Sequence, residues 1–235
     1  PAFCADPAPP ASLRDHAATI GADLRLIGRD FGFARDSENR LQWRWWCRRD
    51  GALVKRALAY PGLRGPVQLY NAAVALAALD ALGARLPVTM QAIRSGLIEA
   101  ELPGRFQVLP GKPAIVLDVG HNPQAIQVLA DNLSGMGFFD RTHAVVGMLA
   151  DKDIAAALAP LRGKVDRWYA ATLTGPRGTS AERVARIIAD GELGGEVDCF
   201  ASPAEATCAA RGGAGESDRI LAFGSFYTVA GVLQA

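Results

Sequence analysis

The residues best suited to chemistry lie in Ile115 to Pro123, which reads Ile-Val-Leu-Asp-Val-Gly-His-Asn-Pro. An apolar, β-branched run ends in the carboxylate of Asp118, turns through Gly120 and the imidazole of His121, and meets Asn122-Pro123. Asn122 suits a helix N-cap, and Pro123 suits the first turn, where its missing N–H has no partner to lose. Ile126, Leu129 and Leu133 follow at helical spacing. A buried strand therefore hands over to a helix through a turn carrying an acid and a base. In open α/β sheets ligands bind at that edge.

Other turns of the same kind follow. Asp151-Lys152-Asp153 comes after Val145 to Leu149, Gly175-Pro176-Arg177-Gly178 after Tyr169 to Leu173, and Gly224-Ser225-Phe226 after Ile220 to Phe223. Each alone is ordinary: a capping Ser or Asp, a pair of surface charges, a structural histidine. Together they gather charge and hydroxyls on one edge of a sheet.

The elements that must position them come from periodicity. Apolar runs start near Ala114, Ala144, Trp168, Val197 and Ile220, with helical signals between them and after the last. That alternation predicts strand–helix units and a largely parallel sheet, an α/β class. Thr179 with Glu182, and Ser202 with Glu205, have capping-box spacing, Pro203 suits a first turn, and Ser225 can cap the last helix.

The first hundred residues differ. A helix is expected over Ser12 to Ile20, then strands at Leu24 to Ile27, Phe31 to Phe33, Leu41 to Cys47 and Ala52 to Leu58, separated by Gly28, Asp36-Ser37 and Asp50-Gly51. Alternation around Trp43 and Trp45 is read most simply as core or interface aromatics, although such rings can also stack bases, and Arg44, Arg48, Arg49, Lys55 and Arg56 form a basic patch read as a solvated face rather than a nucleic-acid site. After a turn at Gly62 to Pro66, helices are expected over Gln68 to Leu82, stopped at Gly83, and over Val88 to Ala100. Leu102-Pro103-Gly104 then breaks the pattern, placing a boundary between residues 1–103 and 104–235.

Composition narrows the function. The 235 residues are half apolar, enough for one large or two ordinary domains. A net charge of +1 argues against a broad nucleic-acid or membrane-surface footprint, and no apolar run is long enough to span a bilayer. The four cysteines are scattered, which fits reduced thiols in a cytoplasmic protein. No Walker A loop or Gly-x-Ser-x-Gly elbow occurs. Gly212-Gly213-Ala214-Gly215 does not sit between a strand and a helix, and His16, His121 and His143 lack metal-ligand spacing. A self-contained hydrolase, dehydrogenase or zinc enzyme is poorly supported.

The ordered set of motifs resembles the bacterial dihydrofolate synthase/folylpolyglutamate synthase family, relatives of the Mur ligases. Leu102-Pro103-Gly104-Arg105-Phe106-Gln107, Asp118-Val119-Gly120-His121-Asn122-Pro123 and Gly147-Met148-Leu149-Ala150-Asp151-Lys152-Asp153-Ile154 carry the likeness. So do Gly175-Pro176-Arg177-Gly178, Gly224-Ser225-Phe226-Tyr227-Thr228-Val229 and Asn71-Ala72-Ala73. The resemblance implies an ATP-dependent amide ligase that phosphorylates a carboxylate of dihydropteroate or a folate, which the amino group of L-glutamate then attacks. It implies that residues 1–103 are the last part of a P-loop ATPase domain with its linker, and 104–235 a Rossmann-like C-terminal domain.

The residue roles follow from the resemblance alone. Arg105 would meet the ATP phosphates, Asp118 the ribose, and His121 the transferred phosphate. Gln91 stands where the family often has Asn for nucleotide binding. Lys152 and Ser225 would hold the carboxylates of glutamate by analogy with Mur ligases. The family's P-loop, its magnesium-holding Ser, Glu and His, and a central lysine would lie upstream of Pro1, so the chain is expected to be the C-terminal half of a monomeric enzyme, inactive alone. Two alternatives stay open: a non-catalytic Rossmann-like module binding a nucleotide or partner protein, and a cell-wall ligase of Mur type.

Overall fold

The computed structural model describes residues 1–36, 39, 41–49, 51–63, 65 and 67–235. The expected turns at Asp36-Ser37, Asp50-Gly51 and Gly62 to Pro66 fall partly outside these residues. The chain divides into two compact units, Pro1–Glu101 and Leu102–Ala235.

In the first unit, β1 (Ala2–Cys4) pairs in parallel with β2 (Leu24–Leu26) across the helix α1 (Ala11–Thr19). The strand β1 was not expected, since three residues are too few to show a period. β3 (Phe31–Arg35), β4 (Gln42–Arg49) and β5 (Ala52–Ala59) form an antiparallel meander. α2 (Val67–Ala81) and α3 (Met90–Glu99) complete the unit. Where the sequence suggests that α3 starts at Val88, Thr89 stands outside it as the N-cap, its hydroxyl accepting from the Ala92 N–H.

Alternation along β4 buries Trp43, Trp45 and Cys47 against Leu69, Ala73 and Leu76 of α2, while Arg44 faces out. Small alanines let the indoles approach the helix, and Trp45 Nε1 donates to the Ala73 carbonyl at 3.1 Å. The basic face is largely paired within the unit. Arg44 meets Asp36 at 2.9 Å, and Arg49 and Arg56 share Asp80.

The second unit is a six-stranded sheet in the order β10-β9-β8-β11-β7-β6. Its strands are β6 (Gln107–Leu109), β7 (Ala114–Asp118), β8 (Thr142–Val146), β9 (Arg167–Ala171), β10 (Glu196–Phe200) and β11 (Arg219–Phe223). All are parallel except β6, a short antiparallel edge strand that the sequence does not announce. The α/β expectation holds.

Both faces are covered, which explains why the strands read as apolar runs. α4 (Pro123–Ser134), α5 (Ile154–Leu158) and α6 (Ala181–Asp190) pack over Val116, Val146, Trp168 and Phe223. α7 (Pro203–Gly213) and α8 (Phe226–Leu233) pack over Leu117, Val145, Tyr169 and Ala222. The chain steps outward from β7 through β8 and β9 to β10, then returns to slot β11 between β7 and β8. Right-handed crossovers place α7 on the opposite face once the direction reverses.

Capping sharpens most helix starts. Asn122, Ser202 and Ser225 cap α4, α7 and α8 as expected, with Pro123 and Pro203 in first turns. The cap of α6 is Ser180 rather than Thr179. Thr179 is buried and gives its backbone carbonyl to the Leu173 N–H at 3.1 Å, holding the preceding loop instead of the helix.

Candidate functional site at the carboxyl edge of the parallel sheet

Register puts Asp118, Phe223 and Val146 side by side, with Ala170 next to Val146. The loops leaving these strands therefore share one edge of the second unit. Three groups of residues occupy it.

The first is built on Asp118. Its carboxylate is 9% exposed and accepts the N–H groups of Phe106 at 2.9 Å and Gly120 at 2.7 Å. The Val119 N–H also donates to the Gly104 carbonyl at 2.7 Å. Both neighbours of Arg105 are thus fastened to the end of β7, while the Arg105 side chain stands exposed. Glycine is needed at 104, where φ is +70° and a Cβ would lie 2.8 Å from Val119 Cγ1. Phe106 takes a left-handed φ of 46° between Arg105 and β6, held there by Asp118. Burial pushes the Asp118 carboxyl above its ordinary range, against the pull of the Gly120 and Phe106 N–H groups and the Arg105 charge.

His121 is half-buried, with Nδ1 3.0 Å from the Val119 carbonyl. A carbonyl only accepts, so this bond requires the proton on Nδ1 and leaves Nε2 as the ring's other working atom.

The second group joins the loops after β8 and β9. Leu149 bridges to Gly178, and the Ala150 N–H donates to the Arg177 carbonyl at 2.8 Å. The Arg177 guanidinium reaches both Asp151 carboxylate oxygens at 3.0 Å, and Lys152 Nζ lies 3.0 Å from the same carboxylate. Hydrogen bonds from Lys152 and then Arg177 hold the Asp151 carboxyl below its ordinary range. Asp153 turns away to cap α5, accepting the Ala156 N–H at 3.0 Å.

The third group surrounds the start of α8. Ser225 Oγ accepts the Thr228 N–H at 3.0 Å and is 4% exposed. Thr228 Oγ1 donates to the Gly147 carbonyl at 2.7 Å, tying the end of β8 to the helix. Gly224 makes the approach possible, since a Cβ there would lie 2.6 Å from the Gly147 oxygen.

Of the residues singled out from sequence, Arg105 and Asp118 are brought together through the backbone, with His121 on the same turn. Lys152 is joined to Arg177 through Asp151, while Ser225 is occupied with Thr228. Gln91 lies exposed on α3 in the other unit, its Nε2 3.5 Å from Ser95 Oγ. Sequence reasoning missed the N–H donors of Phe106 and Gly120 and the bond of Thr228 to Gly147. Backbone partners leave no residue signature. Among the described residues no group of three or more His, Cys, Asp or Glu side chains could hold a metal ion. No helix among them is long and apolar enough to cross a membrane.

Residues 104–226 match the Mur ligase, glutamate ligase domain. The chain belongs to the Mur ligase family. Within that family it is 38% identical, over its whole length, to the dihydrofolate synthase/folylpolyglutamate synthase of Escherichia coli, of which it covers 51%. A solved structure of E. coli FolC in complex with DHPP and ADP superposes on all of the chain with a TM-score of 0.85 at 37% identity, covering 52% of that protein. A bifunctional folylpolyglutamate synthase/dihydrofolate synthase with Mn, AMPPNP and L-glutamate bound gives 0.83 at 38%, again over the whole chain and 52% of that protein. The chain thus spans about half the length of these Mur ligase relatives.

Proposed function

We propose that this chain is part of an ATP-dependent amide ligase that joins L-glutamate to dihydropteroate, tetrahydrofolate or both through an acyl phosphate. The reading rests on one arrangement above all. Arg105 stands exposed while both of its neighbours are bonded to the end of the strand that carries Asp118 and His121. A guanidinium carried on a backbone held in this way suits a polyphosphate, because its planar fork loses less freedom for each hydrogen bond formed. Support for the substrate class comes from the relatives, which are dihydrofolate and folylpolyglutamate synthases, one of them with L-glutamate bound.

The chemistry asks mainly for positioning. A carboxylate is a poor electrophile, phosphorylation gives it a leaving group, and the enzyme must then hold the anion and the nucleophile in line. In this reading Arg105 neutralises ATP phosphates, and Asp118 accepts from the nucleotide's ribose with the lone pairs its backbone donors leave open. His121 offers Nε2 to the transferred phosphate. Gln91 contributes an amide to the nucleotide, and Lys152 and Ser225 receive the glutamate carboxylates. Magnesium would neutralise phosphate charge when bound, and no step here is assigned to it.

We place residues 1–103 in the closing part of the ATPase domain with its linker and 104–235 in the Rossmann-like domain of a monomeric, cytoplasmic enzyme. The 235 residues contain no phosphate-cradling loop of Walker type, so they should not close the reaction unaided. Phosphate release from ATP that depends on both dihydropteroate and glutamate should be absent with these residues and present in a full-length ligase carrying them. Release by the 235 residues, or a full-length protein accepting muramyl but not pteroate substrates, would overturn the respective part of the proposal.

A further inference from the structure

A polar cavity of about 360 Å³ opens at the amino edge of the six-stranded sheet, opposite the edge described above. The starts of β8, β9 and β10 line it, with Gly213 at the end of α7. Its cations are Arg141 and Arg167. The Arg141 side chain is exposed and makes no hydrogen bond or ion pair among the described residues. Its backbone is fixed, because the carbonyl accepts the Arg219 N–H at 3.0 Å and the N–H bonds to Asp218. Arg167 commits Nε and Nη2 to Asp198 at 3.0 and 2.8 Å and keeps Nη1 open. The lining carboxylates are Asp166, which accepts the Thr142 N–H at 2.7 Å, and Glu196, which is 81% exposed. Two charges of each sign thus surround the cavity while His143 is neutral.

Beneath the arginines lie three buried groups whose protons can be counted. His143 Nε2 is 3.2 Å from Asp218 Oδ2, and Nδ1 is 3.0 Å from the Tyr169 hydroxyl. Burial works against the Asp218 charge, but the Gly215 N–H and His143 hold its carboxyl below the ordinary range. A carboxylate only accepts, so Nε2 carries the ring's proton. Burial pushes the Tyr169 hydroxyl above its ordinary range, so its O–H stays intact and donates to Nδ1. A second proton on the ring reverses that bond: Nδ1–H donates, and the Tyr169 O–H must turn elsewhere. Gly213 leaves it room, since a Cβ there would lie 2.9 Å from the hydroxyl oxygen. The other charges on neighbouring elements point away. Arg219 of β11 reaches the Leu133 carbonyl on the opposite face, and Glu205, Cys208 and Arg211 of α7 are exposed. We infer that this cavity binds a small oxyanion together with a proton, Arg141 and Arg167 meeting the anion and Tyr169 donating to it once His143 is cationic. With the proton the lining is net positive and gains a donor. Without it the charges cancel, and the hydroxyl presents only lone pairs to an acceptor. The site is independent of the ligase reading.

The test is an NMR titration of the isotope-labelled 235-residue chain with sulfate. Sulfate keeps one charge state from about pH 8 to about pH 5, where histidine titrates, so any pH dependence belongs to the protein. It should shift the amides of residues 141–143, 195–196 and 213. Its affinity should rise about tenfold for each unit of falling pH while His143 gains its proton, the slope of one linked proton. The ring-nitrogen shifts of His143 should place the proton of the neutral form on Nε2, and sulfate should favour the second proton. Arg141→Ala alters an exposed side chain, so the fold should persist while sulfate binds about tenfold or more weakly at every pH. Tyr169→Phe should lower the affinity at the acid end and leave the alkaline end unchanged. An affinity that does not change with pH, amide shifts that do not concentrate at these residues, or binding that Arg141→Ala leaves intact would overturn the inference.

Discussion

Two buried carboxylates lie at opposite edges of the same sheet, and their surroundings differ in kind. Asp118, at the carboxyl edge, is 9% exposed; Asp218, at the amino edge, is 7% exposed. Burial disfavours the charge of each. At Asp118 the two backbone N–H groups do not overcome that cost, and the carboxyl is pushed above its ordinary range. At Asp218 the Gly215 N–H at 2.7 Å and His143 Nε2 at 3.2 Å outweigh it, and the carboxyl falls below that range. His143 is itself completed by the Tyr169 hydroxyl at 3.0 Å.

At the amino edge Asp218 and His143 are thus satisfied internally, whereas the carboxyl edge keeps a carboxylate short of positive partners beside an exposed arginine. A closed network of buried polar groups stabilises a fold. An incompletely compensated one at a strand end, next to charges that face solvent, points to ligand binding.

The largest expected effect lies at the closed network. Asp218→Ala leaves the Gly215 N–H and His143 without their partner, at about 1–3 kcal/mol for each orphaned group. Asp118→Ala also orphans two N–H groups, but it removes a charge that burial already disfavours. Its cost in urea unfolding, followed at amides of the second unit, should be the smaller. A larger loss for Asp118→Ala would erase the contrast.

Next comes the titration of the two groups. The folded pKa of Asp218 is lowered, so its contribution to stability is present above the unfolded value and is lost as pH falls through the folded one. The folded pKa of Asp118 is raised, so its contribution favours the fold below the unfolded value and is lost as pH rises through the folded one. Carboxyl carbon shifts followed against pH should place Asp118 above the ordinary carboxylate range and Asp218 below it. The reverse order would remove the electrostatic basis of the comparison. The smallest effect is expected at Asp151→Asn, which should leave the unfolding midpoint unchanged, because its ion pairs are wet.

Much of this edge was legible in the chain. Asp118, His121, Lys152, Arg177 and Ser225 all sit where an apolar run ends, and strand-to-helix handovers in a parallel sheet bring such ends to one side. Three features were not legible. β1 and β6 are too short to show a period. The return of β11 between β7 and β8 depends on packing both faces of the sheet, which spacing along the chain does not encode. Thr179 and Ser180 are both competent caps, and the choice fell to the residue whose neighbour was needed to close the Leu173 to Gly178 loop.

The bond between Asp151 and Arg177 shows the same limit at the site. Each residue stands out in its own turn, but only the neighbouring placement of β8 and β9 joins turns that lie 26 residues apart.

The most direct measurement is the ATP dependence of amide formation in a full-length ligase carrying this chain, with and without Arg105→Ala. Losing one or more charge-assisted phosphate contacts, at roughly 1.5–3 kcal/mol each, predicts a fall in kcat/KM for ATP of about ten- to more than a hundred-fold. Unchanged kinetics in the Arg105→Ala protein would contradict the assignment of this edge to the nucleotide.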